Sequence, residues 1–173
     1  MNIQSAVIEG TNLLKNKYII TAQLDTEILM AKVLGSSRED IILNDHKDLN
    51  DNNLRHFKNL IIERANRKPI AYLLNKKFFW DHEFYVNQNT LIPRPDTEVI
   101  IDIILKLIKN KNSMNILDVG VGSGCILLTI LKEKKNFYGT GIDISKKSLD
   151  ISKINAKNLV MGDRVKFFKS DVD

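Results

Sequence analysis

Apolar positions recur at intervals of three and four through the first 75 residues, the spacing of helices with one buried face. In "AQLDTEILMAKVLG", Leu24, Ile28 and Ala31 fall on one side, and Gly35 supplies a stop signal. In "LRHFKNLIIERA", Leu54, Phe57, Ile61 and Ala65 repeat in the same way, and Pro69 restarts the chain. The pattern then changes. "KKFFWDHEFYV" sets Phe78 and Trp80 on one side of a polar break and Phe84 and Val86 on the other, which predicts a β-hairpin turning at Asp81-His82.

Beyond the hairpin, "TEVIIDIILKLIK" is apolar nearly all round except for a stripe of Glu98, Asp102 and Lys106, so a helix buried on most of its surface is expected. A loop at 110–113 follows. The pattern next predicts a strand over 115–119, a helix over 124–134, a strand over 137–142, a helix over 145–157 and a third strand from near Arg164. That succession is a right-handed parallel α/β unit. The domain reading is a helical region at 1–75, a hairpin and linker at 76–95, and an α/β domain over 96–173.

Composition changes this picture little. With 173 residues, 43% hydrophobic and 27% charged, the chain is expected to be globular, neither disordered nor fibrous. Its apolar runs fall short of the ~18 residues a membrane span needs, and its start lacks the basic flank and apolar core of a secretory signal. A cytoplasmic location with no membrane partner is the expectation. The one cysteine, Cys125, cannot form an internal disulfide. His46, His56 and His82 lack ligand spacing, so no metal is predicted. The net charge of +5 comes from dispersed lysines, with no basic cluster that would mark a direct nucleic-acid surface.

The stretch "ILDVGVGSGCILLTIL" carries the clearest chemistry. A strand ending in Asp118 turns through Gly120, Gly122 and Gly124 into a helix, which is expected to bring backbone N–H groups up to a ligand. The next strand ends in Asp143, where a carboxylate can accept from both hydroxyls of a ribose. The ligand is therefore expected to be a nucleoside. The G-x-G-x-G spacing departs from the dinucleotide G-x-G-x-x-G, leaving NAD as the alternative ligand. Cys125, at the start of a helix on a sheet, reads as a packing residue rather than a nucleophile. Asp171, after the third strand, is in position to meet an adenine edge or to cap the strand end. Pro93-Arg94-Pro95 is a stiff extended segment. Asp96 is placed to cap the helix that follows, and Glu98 to favour its dipole.

"LIPRPDTE" upstream of "DVGVGSGC" and "GIDIS" closely resembles the peptide-chain release factor glutamine methyltransferases, the HemK-type protein methyltransferases. The likeness spans essentially the whole chain, from "LDTEILMAKVLG" through "ERANRKPIAYLLNKKFFWDHEFYV". It implies an α/β fold: a helical N-terminal, release-factor-binding domain joined by a β-hairpin to an incomplete doubly wound, Rossmann-like, S-adenosylmethionine-dependent methyltransferase domain. It implies that Gly120, Val121, Gly122, Ser123 and Gly124 cradle the methionine part of the cofactor. Asp143 would hold the ribose, Asp171 and Val172 would flank the adenine, and Arg94, Thr97 and Glu98 would wall the methyl-transfer site. Val172 stands where some members have a stacking aromatic, and Asn75 where the family often has Gly.

The reaction so implied moves a methyl group to the side-chain amide nitrogen of the glutamine in the Gly-Gly-Gln motif of release factors. The family's Asn-Pro-Pro-Tyr loop is absent from these 173 residues, so no catalytic residue is assigned and the chain alone is expected to be inactive. The sequence stops just past the third strand, which is expected to leave "NILDV" as an exposed apolar edge. Two other readings stand beside this one: a non-catalytic release-factor-binding module and a nucleic-acid amino-methyltransferase.

Overall fold

A computed structural model describes residues 1–171, and the chain divides into two compact units, residues 1–74 and the part from Asn75 onward. The first unit is helical. It comprises α1 (Ile3–Asn16), α2 (Ala22–Leu34), α3 (Arg38–Leu43), α4 (Asp51–Ala65) and α5 (Ile70–Leu74). Local chemistry sets these limits. Asn2, Ser37 and Asn50 each accept a backbone N–H at the start of a helix, and Gly35 ends α2 in the left-handed conformation at φ 62°. Leu14, Leu29, Met30, Phe57 and Ile61 form its core.

On α2 the buried face matches the expected one only in part, with Ala31 buried and Ile28 half-buried. Leu24 is 42% exposed, whereas Asp25, Thr26, Glu27, Leu29 and Met30 are buried. The cause lies far along the chain. Arg64 Nε donates to Asp25 Oδ2 at 2.7 Å and Arg38 Nε to Glu27 Oε2 at 2.6 Å, so two acids can be buried where periodicity alone would place apolar residues.

The second unit opens with the hairpin of β1 (Lys76–Phe79) and β2 (His82–Tyr85). The chain reverses at Trp80-Asp81, one residue earlier than expected, with Trp80 at φ 53°. Phe79 and Phe84 form the inner pair, edge to face with centroids 6.2 Å apart, and Phe78 is turned out, 64% exposed. Phe79 is paired with His82 and Lys77 with Phe84, so both inner rings share the face that Phe78 leaves. Asn75 sits at φ 58°, a conformation that Gly adopts freely and Asn tolerates.

Pro95–Thr97 then form a single 3₁₀ turn, and α6 spans Glu98–Leu107. Asp96 lies within that turn and does not cap α6, whose N-cap Thr97 makes no side-chain bond. Nor is α6 buried on most of its surface. Ile101 is fully buried, but Val99, Ile100, Ile103 and Leu107 are exposed. Beyond the 3₁₀ turn that leads into it, α6 packs chiefly on α7 (Cys125–Glu133), and one such neighbour covers only one side of a helix.

The sheet follows the expected order. Strands β3 (Asn115–Val119), β4 (Tyr138–Asp143) and β5 (Val165–Lys169) are parallel and lie in the order β3-β4-β5. They are linked by α7 and by α8 (Lys146–Asn158). A Cβ on Gly141 would stand 2.8 Å from both Val121 Cγ2 and Phe167 Cδ1, so a bare Cα is what allows this close packing. Leu117 and Val119, paired with Thr140 and Ile142, are 61% and 54% exposed. The sheet is thus covered on one face, and β3 is the exposed apolar edge that the sequence predicts. No helix among the described residues is long and apolar enough to cross a membrane.

Candidate functional site

Three parallel strands deliver their C-terminal ends to one place, where open α/β sheets bind ligands. After β3 comes the loop Gly120–Gly124, Asp143 ends β4 with Ser145 just beyond, and after β5 come Ser170 and Asp171. The ends are tied together. Ser170 N–H donates to the Asp143 carbonyl at 3.2 Å, and the N–H groups of Gly120 and Val121 both donate to the Ile142 carbonyl, at 2.9 and 3.0 Å.

Gly120, Gly122 and Gly124 all have left-handed backbones, at φ 75°, 55° and 82°. At Gly124 an added Cβ would also meet Leu128 Cδ1 at 2.9 Å, while around Gly120 there is open space. The loop's donors are not arrayed toward a ligand as expected. Besides Gly120 and Val121, Gly122 N–H donates to Asp143 Oδ2 at 3.0 Å and Gly124 N–H to the Val121 carbonyl at 2.8 Å. With the N–H groups of Gly120, Val121, Gly122 and Gly124 so committed, the loop offers shape more than a nest of donors, which suits a ligand without a pyrophosphate better than a dinucleotide.

Asp143 accepts from Gly122 N–H through Oδ2 and from Ser145 N–H at 2.8 Å through Oδ1. Each oxygen keeps a second lone pair, so the carboxylate can brace the loop and still accept from two hydroxyls. These features fit a nucleoside with a ribose diol. Asp118 is a neighbour that sequence reasoning did not place among the site residues. Burial, above all, raises its pKa above the ordinary carboxylate value, a hydrogen bond from the Leu127 backbone lowers it, and the charge of Asp143 raises it further. Burial likewise pushes the Cys125 thiol up, which keeps it protonated and fits packing.

Asp171 is exposed beside the strand ends, and Val172 lies outside the described residues. Glu98 Oε1 accepts from Trp80 N–H at 2.9 Å, and Trp80 Nε1 donates to Glu133 at 3.2 Å, so this acid holds the hairpin turn. Among the described residues no hydrogen bond joins Arg94, Thr97 or Glu98 to the glycine loop. Also unforeseen is a buried polar row on α8: Ser148, Ser152 and Asn155. Its signal was present in the sequence, as polar residues at i, i+4 and i+7.

Residues 5–74 match the model of the PrmC N-terminal domain, and residues 110–173 that of a methyltransferase domain. The chain is 35% identical to a release factor glutamine methyltransferase of Leptospira interrogans, over 99% of its own length and 60% of the relative's. It is 42% identical to one of Buchnera aphidicola subsp. Baizongia pistaciae, over 79% of its own length and 49% of that protein's. A counterpart in Clostridium acetobutylicum is 34% identical over 99% of this chain and 60% of that one. The chain therefore spans at most about three fifths of these curated relatives.

Proposed function

We propose that the chain is part of a release factor glutamine methyltransferase and that its α/β unit binds S-adenosylmethionine for methylation of the Gly-Gly-Gln glutamine of peptide-chain release factors. The observation that carries this reading is the joined end of the sheet, where Asp143 both braces a donor-poor glycine loop and keeps two acceptor sites free. When bound, S-adenosylmethionine supplies an electrophilic methyl group on a sulfonium.

Asp143 would accept from the ribose hydroxyls, Gly120 to Gly124 would make room for the methionine part, and Asp171 would lie at the adenine edge with Val172. The glutamine amide nitrogen is a poor nucleophile because its lone pair is delocalised. Its methylation depends on alignment and on acceptors for its N–H groups, which is positioning and electrostatics. Arg94, Thr97 and Glu98 would border that site, Glu98 by fixing the hairpin turn. The 173 residues contain no Asn-Pro-Pro-Tyr segment to supply the acceptors, so on this reading the chain alone binds cofactor and transfers nothing. The helical unit would meet the release factor, in the cytoplasm where translation ends.

The test is to incubate the chain, and a fusion of it to the remaining part of the Leptospira relative, with labelled S-adenosylmethionine and a release factor. Mass spectrometry then reads the Gly-Gly-Gln peptide. The fusion is expected to add one methyl group to the glutamine and the chain alone none. Transfer by the chain alone, or labelling of nucleic acid instead of the release factor, would overturn the proposal.

A further inference from the structure

An amphipathic helix on a sheet should turn apolar residues inward, yet α8 turns Ser148, Ser152 and Asn155 inward, at 5%, 0% and 0% exposure. Burying such groups is unfavourable unless each finds partners. The partners here are the backbones of two segments far apart in the chain. Ser152 Oγ donates to the Gly122 carbonyl at 2.7 Å. Asn155 Nδ2 donates to the Ser123 carbonyl at 2.8 Å and to the Tyr85 carbonyl at 3.0 Å, while Asn155 Oδ1 accepts from Tyr85 N–H at 2.7 Å. Ser148 Oγ donates to the Asn89 carbonyl at 2.8 Å.

Asn155 thus treats Tyr85 as a neighbouring strand would, taking both its backbone groups, and holds the glycine loop with the same amide. Gly122 is gripped at both ends, its N–H by Asp143 and its carbonyl by Ser152. We infer that Asn155 is a positioning residue that locks the glycine loop to the edge of the hairpin, so that a ligand held by Asp143 and the loop also stiffens β2 and the segment leading to Pro93. The inference rests on the proposed cofactor site. Ser152 reaches the loop and Ser148 the segment through the length of α8, whereas Asn155 holds loop and hairpin directly with one amide.

Backbone amide exchange, with and without S-adenosylhomocysteine, separates these roles in the wild-type chain, Asn155→Ala and Ser152→Ala. In the wild type the ligand should slow exchange at Tyr85, whose N–H is committed to Asn155. Asn155→Ala should weaken binding about tenfold and abolish that slowing, with exchange in residues 1–74 unchanged. Ser152→Ala should weaken binding yet keep the slowing, which also serves if Asn155→Ala does not fold. A wild-type Tyr85 amide that ignores bound ligand, or an Asn155→Ala chain that binds and responds like wild type, overturns the inference. If the wild type binds no S-adenosylhomocysteine, the cofactor reading fails instead. The inference is then decided without ligand: Asn155→Ala must speed exchange in the loop and hairpin together and Ser152→Ala in the loop alone, and any other pattern overturns it.

Discussion

Two aspartates on adjacent strands perform different tasks. Asp143, at the end of β4, is solvated by two backbone N–H groups, and its place was legible in the sequence as an acid closing the second strand. Asp118, beside it in β3, is held in a drier setting that raises its pKa, an effect of packing that spacing along the chain does not encode. A carboxyl so raised binds its proton more readily in the folded chain than in the unfolded one. Its contribution is therefore full in acid, below the unfolded pKa, and is lost as pH rises through the folded value. Asp118→Asn preserves the neutral form. The variant should be more stable than wild type in urea melts at neutral pH, and the advantage should vanish below about pH 3. An equal difference at both pH values would show that burial of the charge is not the cause. The loop amides teach the same lesson at this scale, because the glycines mark a turn but not which carbonyls their N–H groups will find.

At the scale of elements, the α/β half was read closely. The strand limits at 115–119 match the structure, and α7 and α8 start and stop within one residue of expectation. Strong turn signals and short apolar runs made that possible. The faces of the helices were less legible. On α2 the inward side is decided by Arg64 and Arg38, so periodicity within α2 could not disclose it. The apolar girth of α6 likewise says that the helix can be buried, not that a neighbour is present. Breaking the Arg64–Asp25 pair leaves a buried acid without its cation, a loss on the order of 3 kcal/mol. Arg64→Ala should therefore lower the stability of the helical unit by about that amount in denaturant melts, since Thr21 alone remains on Asp25. A loss under about 1 kcal/mol would place the pair among ordinary surface ion pairs.

At the scale of the whole molecule, each unit has its own core, and among the described residues the α/β unit presents a parallel sheet covered on one face with β3 at its edge. Parallel sheets are ordinarily covered on both faces. The residues that reach the strand ends are nonetheless a coherent set, which is why a cofactor site can be argued from this chain. Whether this set holds S-adenosylmethionine is decided by calorimetric titration of the 173-residue chain with S-adenosylhomocysteine and, separately, with NAD. The expected result is saturable one-to-one binding of S-adenosylhomocysteine, no binding of NAD, and at least about tenfold weaker affinity in Asp143→Ala, which would lose the proposed ribose acceptors and the brace on Gly122 together. No heat with S-adenosylhomocysteine, or an affinity that Asp143→Ala leaves unchanged, would contradict it.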